Sequence, residues 1–275
     1  GEYRVNEVSY IDRPNRPLFF YAILYLAFLY IPVLFLPLFS FNDNIYIAFP
    51  LKGFTTQWYV AMFNDQPMWA ALNNSLRVAC VSSAIATLLG LFGAKAVTRY
   101  RIPGVKPIIF VIMLPMVVPL IIMGVALLIL VTRLGFNLSL YTIAMAHVLI
   151  SVPFAMATLM SRFEGFDPSM EEASSDLGAG PWSTFWRVTL PMVAPGIVAS
   201  FLLCFTISFD EFIMAFFLGG TDPTLPIFIW GQLRFPFRLP GVLALGSLIL
   251  IISFVLVFFA LWLRRWGVED TKSGI

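Results

Sequence analysis

With 60% hydrophobic and only 12% charged residues over 275 positions, the chain carries more apolar surface than soluble domains can bury, since these average roughly 45–50% and 25%. A net charge of +2 offers nucleic acid no basic field, and Cys80 and Cys204 both fall inside apolar blocks, which points to buried free thiols rather than a disulfide framework. The apolar residues come in blocks of about twenty, the length that crosses a ~30 Å hydrocarbon core.

Six such blocks follow one another at 18–39, 76–97, 108–131, 140–160, 193–217 and 242–263. The expected fold class is therefore an all-α membrane protein with six transmembrane helices. The first block is too long and too poorly terminated for a cleaved signal peptide, so it reads as the first span. Pro32, Pro115, Pro119 and Pro153 fall inside blocks. Pro115 and Pro119 either bend a pore-lining third helix or are ordinary membrane-helix prolines absorbed by their neighbours.

Orientation follows from the basic residues, which are retained on the cytoplasmic side. Twelve of the 17, Arg4, Arg16, Arg99, Arg162, Arg264 and Lys272 among them, sit at one set of helix ends, and five (Lys52, Arg77, Arg133, Arg234, Arg238) at the other. Both termini are expected in the cytoplasm, as an even number of spans also requires. The division is a cytoplasmic segment 1–17, a transmembrane domain 18–263 and a cytoplasmic tail 264–275.

Three connections are too long to be turns. In the outer loop 40–75, Thr55-Thr56-Gln57-Trp58-Tyr59 predicts a Thr-capped short helix lying in the interface, with Trp58 and Tyr59 in an aromatic belt. The outer loop 218–241, with Pro223, Pro226, Pro236 and Pro240, reads as a stiff irregular segment. The third connection, 162–191, faces the cytoplasm. Asp167-Pro168 is a helix start and Leu177-Gly178 a stop, with Met170, Ala173 and Leu177 on one face and Glu171 and Glu172 in the first turns. Gly180-Pro181 opens a second short stretch through Trp182, Phe185 and Trp186. An apolar stripe too short for its own core is a docking surface for another protein.

At these residues the chain resembles a known family. Glu172-Ala173-Ser174, Gly178 and Val188-Thr189-Leu190-Pro191 match the spacing of the EAA loop of permease subunits in binding-protein-dependent ATP-driven importers, with Ser174 and Val188 as small departures. The resemblance implies a type I ABC importer permease whose coupling helix, carrying Glu171, Glu172, Ala173, Leu177 and Gly178, transmits the motion of an ATPase. No phosphate-binding Gly-x-x-x-x-Gly-Lys-Ser/Thr loop occurs, so ATP and Mg are expected on the partner ATPase, with no cofactor or metal on this chain and no catalytic residue. From about Gly53 onward the chain is similar to the second permease subunit of spermidine and putrescine (polyamine) importers. Gly53-Phe54-Thr55-Thr56-Gln57-Trp58-Tyr59, Asn74-Ser75-Leu76, Arg162-Phe163-Glu164-Gly165-Phe166-Asp167 and Ser208-Phe209-Asp210-Glu211 carry that similarity. It implies a bacterial inner-membrane location, a heterodimer with a second permease, two ATP-binding subunits and an extracytoplasmic solute-binding protein, with the first helix wrapping a partner.

Only Asp210 and Glu211 among the 15 acidic residues fall inside a spanning block, where an ionised carboxylate must face protein, water or a counter-ion. One reading places Asp210, with Glu211, on the path of a cationic amine; the other pairs them structurally with Arg77 or a neighbouring subunit. Trp230 and Tyr141 are candidates to stack on an ammonium, or belt residues. The lone His147 lacks a second ligand and reads as a packed polar residue between helices. The alternatives in function are an importer of the same class for an opine, an amino-acid derivative or another cation, and an ATP-independent secondary carrier.

Overall fold

The computed structural model describes residues 16–269, with side chains through Val255 and at Phe258. Of the twelve basic residues counted above for orientation, five (Arg4, Arg13 and Lys272, and the side chains of Arg264 and Arg265) lie outside the described residues.

In chain order the helices are α1 (Arg16–Ser40), α2 (Gln57–Phe63), α3 (Gln66–Arg99), α4 (Val105–Met113), α5 (Leu120–Arg133), α6 (Leu140–Glu164), α7 (Ser169–Asp176), α8 (Pro181–Thr184), α9 (Leu190–Asp210), α10 (Ile213–Leu218), α11 (Leu225–Gln232) and α12 (Leu239–Glu269). Among the described residues five helices are long and apolar enough to cross a membrane, six if α4 and α5 count as one broken span. The described residues form two compact units, one of residues 16–64 and 232–269, the other of 65–231.

In the first unit α1 packs along α12. Its side chains are apolar round nearly the whole circumference and almost all exposed, as in a helix whose solvent is lipid. The link from Ser40 to α2 is pinned by polar bonds: Trp58 Nε1 donates to Asn42 O at 3.0 Å, the Lys52 N–H donates to Asn42 Oδ1 at 3.0 Å, and the Ser40 and Tyr59 hydroxyls meet at 2.7 Å. Trp58 and Tyr59 are thus tied to their own chain. The expected Thr cap is absent: Thr56 makes no side-chain cap bond, and Thr55 Oγ1 accepts from the Gln57 N–H instead.

The second unit is built on α3, α6 and α9, which pack against one another along their lengths. Small residues let the backbones approach, since helices in lipid associate by packing rather than by leaving water. Ala79, Ser83, Ala86, Gly90 and Ala94 form a stripe on α3. At Gly90 a Cβ would stand 2.7 Å from Ala155 Cβ and 2.9 Å from its carbonyl carbon, so only glycine fits the crossing of α3 and α6. One apolar cluster, Val78, Ile143, Ile150, Met214 and Leu218 among it, lies towards α10, and another, with Leu91, Leu159, Phe163, Phe185 and Val193, towards the 162–191 loop.

Four expectations need correction. The second span begins at Gln66, ten residues before Leu76, because Asp65 accepts from the Met68 N–H (3.3 Å) and Pro67 occupies the first turn. The third is no single helix: 105–116 and α5 meet at a 101° bend. Pro119 supplies no N–H and drives the residue before it out of helical geometry, and α5 restarts after it. The fifth block ends at Asp210, because Glu211 takes an extended backbone (φ −71°, ψ 120°), and α10 is a separate helix. The loop 218–241 is not irregular throughout. It holds α11, with Pro226 in the first turn, and α12 starts at Leu239, before the expected 242. Asn74 Nδ2 donates to Pro223 O (3.1 Å) and Ser75 Oγ accepts from the Leu225 N–H (2.8 Å), so the Asn-Ser pair of α3 seats the start of α11.

Candidate functional site

The bend of the third span and the break after α9 face each other across a cleft of about 480 Å³. Pro115, Met116, Ile150, Phe154, Ile207 and Asp210 line it, with Glu211, Phe212 and Ile213 at and beyond the break. Both interruptions stand where a spanning segment loses its helical ladder, which is where a membrane protein brings polar groups to a cavity. Asp210 is exposed at the cleft, and among the described residues it forms no ion pair; of the pairings weighed above, the one with Arg77 is not made.

Glu211 behaves differently from its neighbour. It is buried, and its carboxylate accepts from the N–H groups of Ile213 (3.0 Å), Met214 (2.7 Å) and Ala215 (3.4 Å), which start α10 without intrahelical partners. His147, 1% exposed, places Nε2 3.4 Å from Glu211 Oε2 and Nδ1 2.7 Å from Ser208 Oγ. Ser208 meets Ser82 at 2.8 Å, so the polar line crosses α6, α9 and α3. Of the aromatic candidates, Trp230 lies 5.6 Å from the Phe212 ring, one residue back from the lining, while Tyr141 is 83% exposed and outside it.

At the other end of α3 stands the 162–191 loop. Asp167 Oδ1 accepts from the Ser169 N–H at 3.0 Å, and this backbone bond holds its carboxyl below the usual carboxylate range. Gly178 ends the helical turn at φ +83°, a conformation side chains strain against. Met170 and Leu177 are exposed, Leu177 by 90%, as are Glu172, Ala173, Trp182 and Trp186, whereas Phe185 is buried. Before Pro191 the helix widens into one π turn, Phe185–Thr189, because the proline has no N–H to close the normal ladder.

Glu171 is turned inward. Its carboxylate pairs with Arg99 Nε at 2.8 Å and accepts the Thr189 hydroxyl. Arg99 also donates to Phe163 O (3.2 Å) and Phe166 O (3.1 Å), its guanidinium lying over both rings. Arg162 passes over Gly196, where a Cβ would stand 2.7 Å from Arg162 Cγ, to donate to Met192 O at 2.9 Å. Sequence reasoning counted Arg99 only as one positive charge among twelve. Its signal was position: an arginine closing the long span beside a loop rich in glutamate.

Broken spanning helices around a cleft, joined to a folded loop with an exposed apolar face, define a membrane transport subunit. The chain belongs to the family described as binding-protein-dependent transport system inner membrane component, whose model matches residues 86–266. It is 33% identical over 239 residues to the spermidine/putrescine transport system permease protein PotC of Escherichia coli K12, covering 86% of this chain and 88% of that one. It is 34% identical over 249 residues, with the same coverage, to the putrescine transport system permease protein PotI of that organism. A bacterial ABC transporter that imports alginate shares the fold, with a TM-score of 0.68 at 16% identity over 89% of this chain and 96% of that one. The chain is thus an importer permease and not an enzyme.

Proposed function

We propose that this permease takes up polyamines of the spermidine and putrescine type, and that Asp210 belongs to the solute path. The observation that carries the reading is a carboxylate without an ion pair at a helix break, in a cleft whose one other polar lining residue, Glu211, is already taken up by backbone N–H groups. An ammonium group entering such a cleft loses water, and a carboxylate offsets that loss. Phe212, with Trp230 behind it, supplies ring faces for the cation and its methylene chain. The names of the relatives PotC and PotI agree with an amine cargo.

The chain works in a heterodimer with a second permease, two ATPase subunits that bind ATP and Mg, and an extracytoplasmic binding protein. Both termini and the 162–191 loop lie on the cytoplasmic side. The exposed face of Met170, Glu172, Ala173, Leu177 and the Gly178 turn docks on the ATPase. Glu171 acts from behind it, fastening the loop to α3 through Arg99, so that closing of the ATPase pair moves α3 and α9 and alternates access to the cleft.

The test is ATP hydrolysis by the complex reconstituted with its binding protein, titrated with putrescine, spermidine and zwitterionic solutes. Stimulation by polyamines alone is expected. Asp210→Asn should lower the response about 10- to 100-fold, the worth of one charge-assisted bond of ~1.5–3 kcal/mol. Stimulation by a different solute removes the polyamine reading, and unchanged transport by an assembled Asp210→Asn complex removes Asp210 from the path.

A further inference from the structure

The most unusual buried chemistry behind the cleft is the line Ser82, Ser208, His147, Glu211, of which only Glu211 reaches the lining. It joins three spanning helices to the break, and each member is under a tenth exposed. His147 Nε2 is buried without a hydrogen-bond partner among the described residues, and the nearest carboxylate oxygen, 3.4 Å away, belongs to a Glu211 already holding three backbone N–H groups. No other charged side chain competes there: α6 carries none between Leu140 and Ser161, α9 only Asp210, α10 none, and α3 none between Arg77 and Lys95.

Hydrogen-bond bookkeeping narrows the arrangement. With Ser208 donating to Nδ1, the neutral ring carries its proton on Nε2 and turns an N–H towards Glu211. With Nδ1–H donating to Ser208, which then donates to Ser82, the Nε2 lone pair would face the carboxylate unless a second proton lies there. Each satisfied arrangement puts a proton between Nε2 and Glu211. The histidine therefore stands against Oε2, the same carboxylate oxygen that receives the Met214 and Ala215 N–H groups.

We propose that His147 is a positioning residue for transport: held by Ser208, it fixes the Glu211 carboxylate, and with it the turn that presents Asp210 to the cleft. Glu211 then lines the cleft with its carboxylate engaged by the turn, leaving Asp210 as the free charge there. This assignment rests on Asp210 meeting the solute, so its test must separate the two. In the reconstituted complex with its binding protein, His147→Leu should raise the KM for putrescine-stimulated ATP hydrolysis about tenfold with kcat changed far less, the signature of a displaced binding group. His147→Gln, which keeps an N–H donor, should recover much of the loss. His147→Leu combined with Glu211→Gln should cost no more than the worse single change, because the two act as a unit.

A second readout needs no solute. In a cysteine-free background, Phe212→Cys at the cleft should react faster with a water-soluble maleimide once His147→Leu is added. Faster labelling with no response to polyamines keeps the positioning role and removes the cargo assignment. Unchanged labelling with unchanged KM overturns the proposal, as does additivity of the two substitutions or an equal fall in kcat and assembly with labelling unaltered.

Discussion

Two pairs of adjacent acids, Glu171-Glu172 in the loop and Asp210-Glu211 at the cleft, are divided in the same way. One carboxylate of each turns inward and holds a local structure: Glu171 on Arg99 and Thr189, Glu211 on the first N–H groups of α10 and beside His147. The other is left facing out, Glu172 on the loop surface and Asp210 at the cleft. The inward member comes first in one pair and second in the other. Neighbouring charges on a chain cannot share one environment, so a pair of acids supplies one anchor and one free group, and tertiary contacts decide which is which.

The sharpest way to break that comparison is to remove the anchors. Arg99→Ala strips a partly buried carboxylate of its partner and frees two loop carbonyls, and should lower stability by about 2–3 kcal/mol, read as a drop in the Tm of the purified complex, with solute-stimulated ATP hydrolysis lost. Glu211→Ala should cost about 1–2 kcal/mol as the cap of α10 is lost, visible as faster hydrogen exchange at Ile213 and Met214. The free member of the loop pair should behave oppositely. Glu172→Gln should leave stability within ~0.5 kcal/mol while weakening binding of the ATPase subunits, measured by co-purification. A stability loss as large as that of Arg99→Ala would erase the distinction between the two glutamates.

The smallest effect belongs to Asp167. Its pKa is lowered in the folded loop by the Ser169 N–H, so its contribution is complete at neutral pH and is lost as pH falls through that lowered value. Protection of the Ser169 and Met170 amides, measured against intrinsic exchange at the same pH, should fall on acidification into that range. Asp167→Ala should show the lower protection at every pH.

Much of this was legible in the sequence because it depends on local chemistry. The positions of the spans follow from hydropathy, and the loop helix from Asp167, Pro168 and Gly178. The bend at Pro115 and Pro119 was visible as one of two outcomes, since a proline frees a carbonyl but neighbours decide whether the helix kinks or breaks. The early start of α3 was signalled by Asp65 and Pro67, and was missed because hydropathy weighed more than capping. The end of α9 at Asp210 had only a weak local signal, an acid able to cap the N–H groups just after it, because Phe209 to Phe217 is otherwise apolar and reads as one continuous span. Long-range partners turned Glu171 inward, and nothing in its own helix distinguishes it from Glu172.

The same break has an electrostatic consequence for cargo. A helix that stops at Asp210 leaves its final carbonyls without further turns to receive them, and so presents the negative pole of its dipole next to that carboxylate. The positive pole of the following helix is neutralised by Glu211. The two poles created by one interruption are thereby treated unequally, one cancelled and one left open, and the field that remains at the cleft is the one the proposed amine cargo would need before any side chain has made contact.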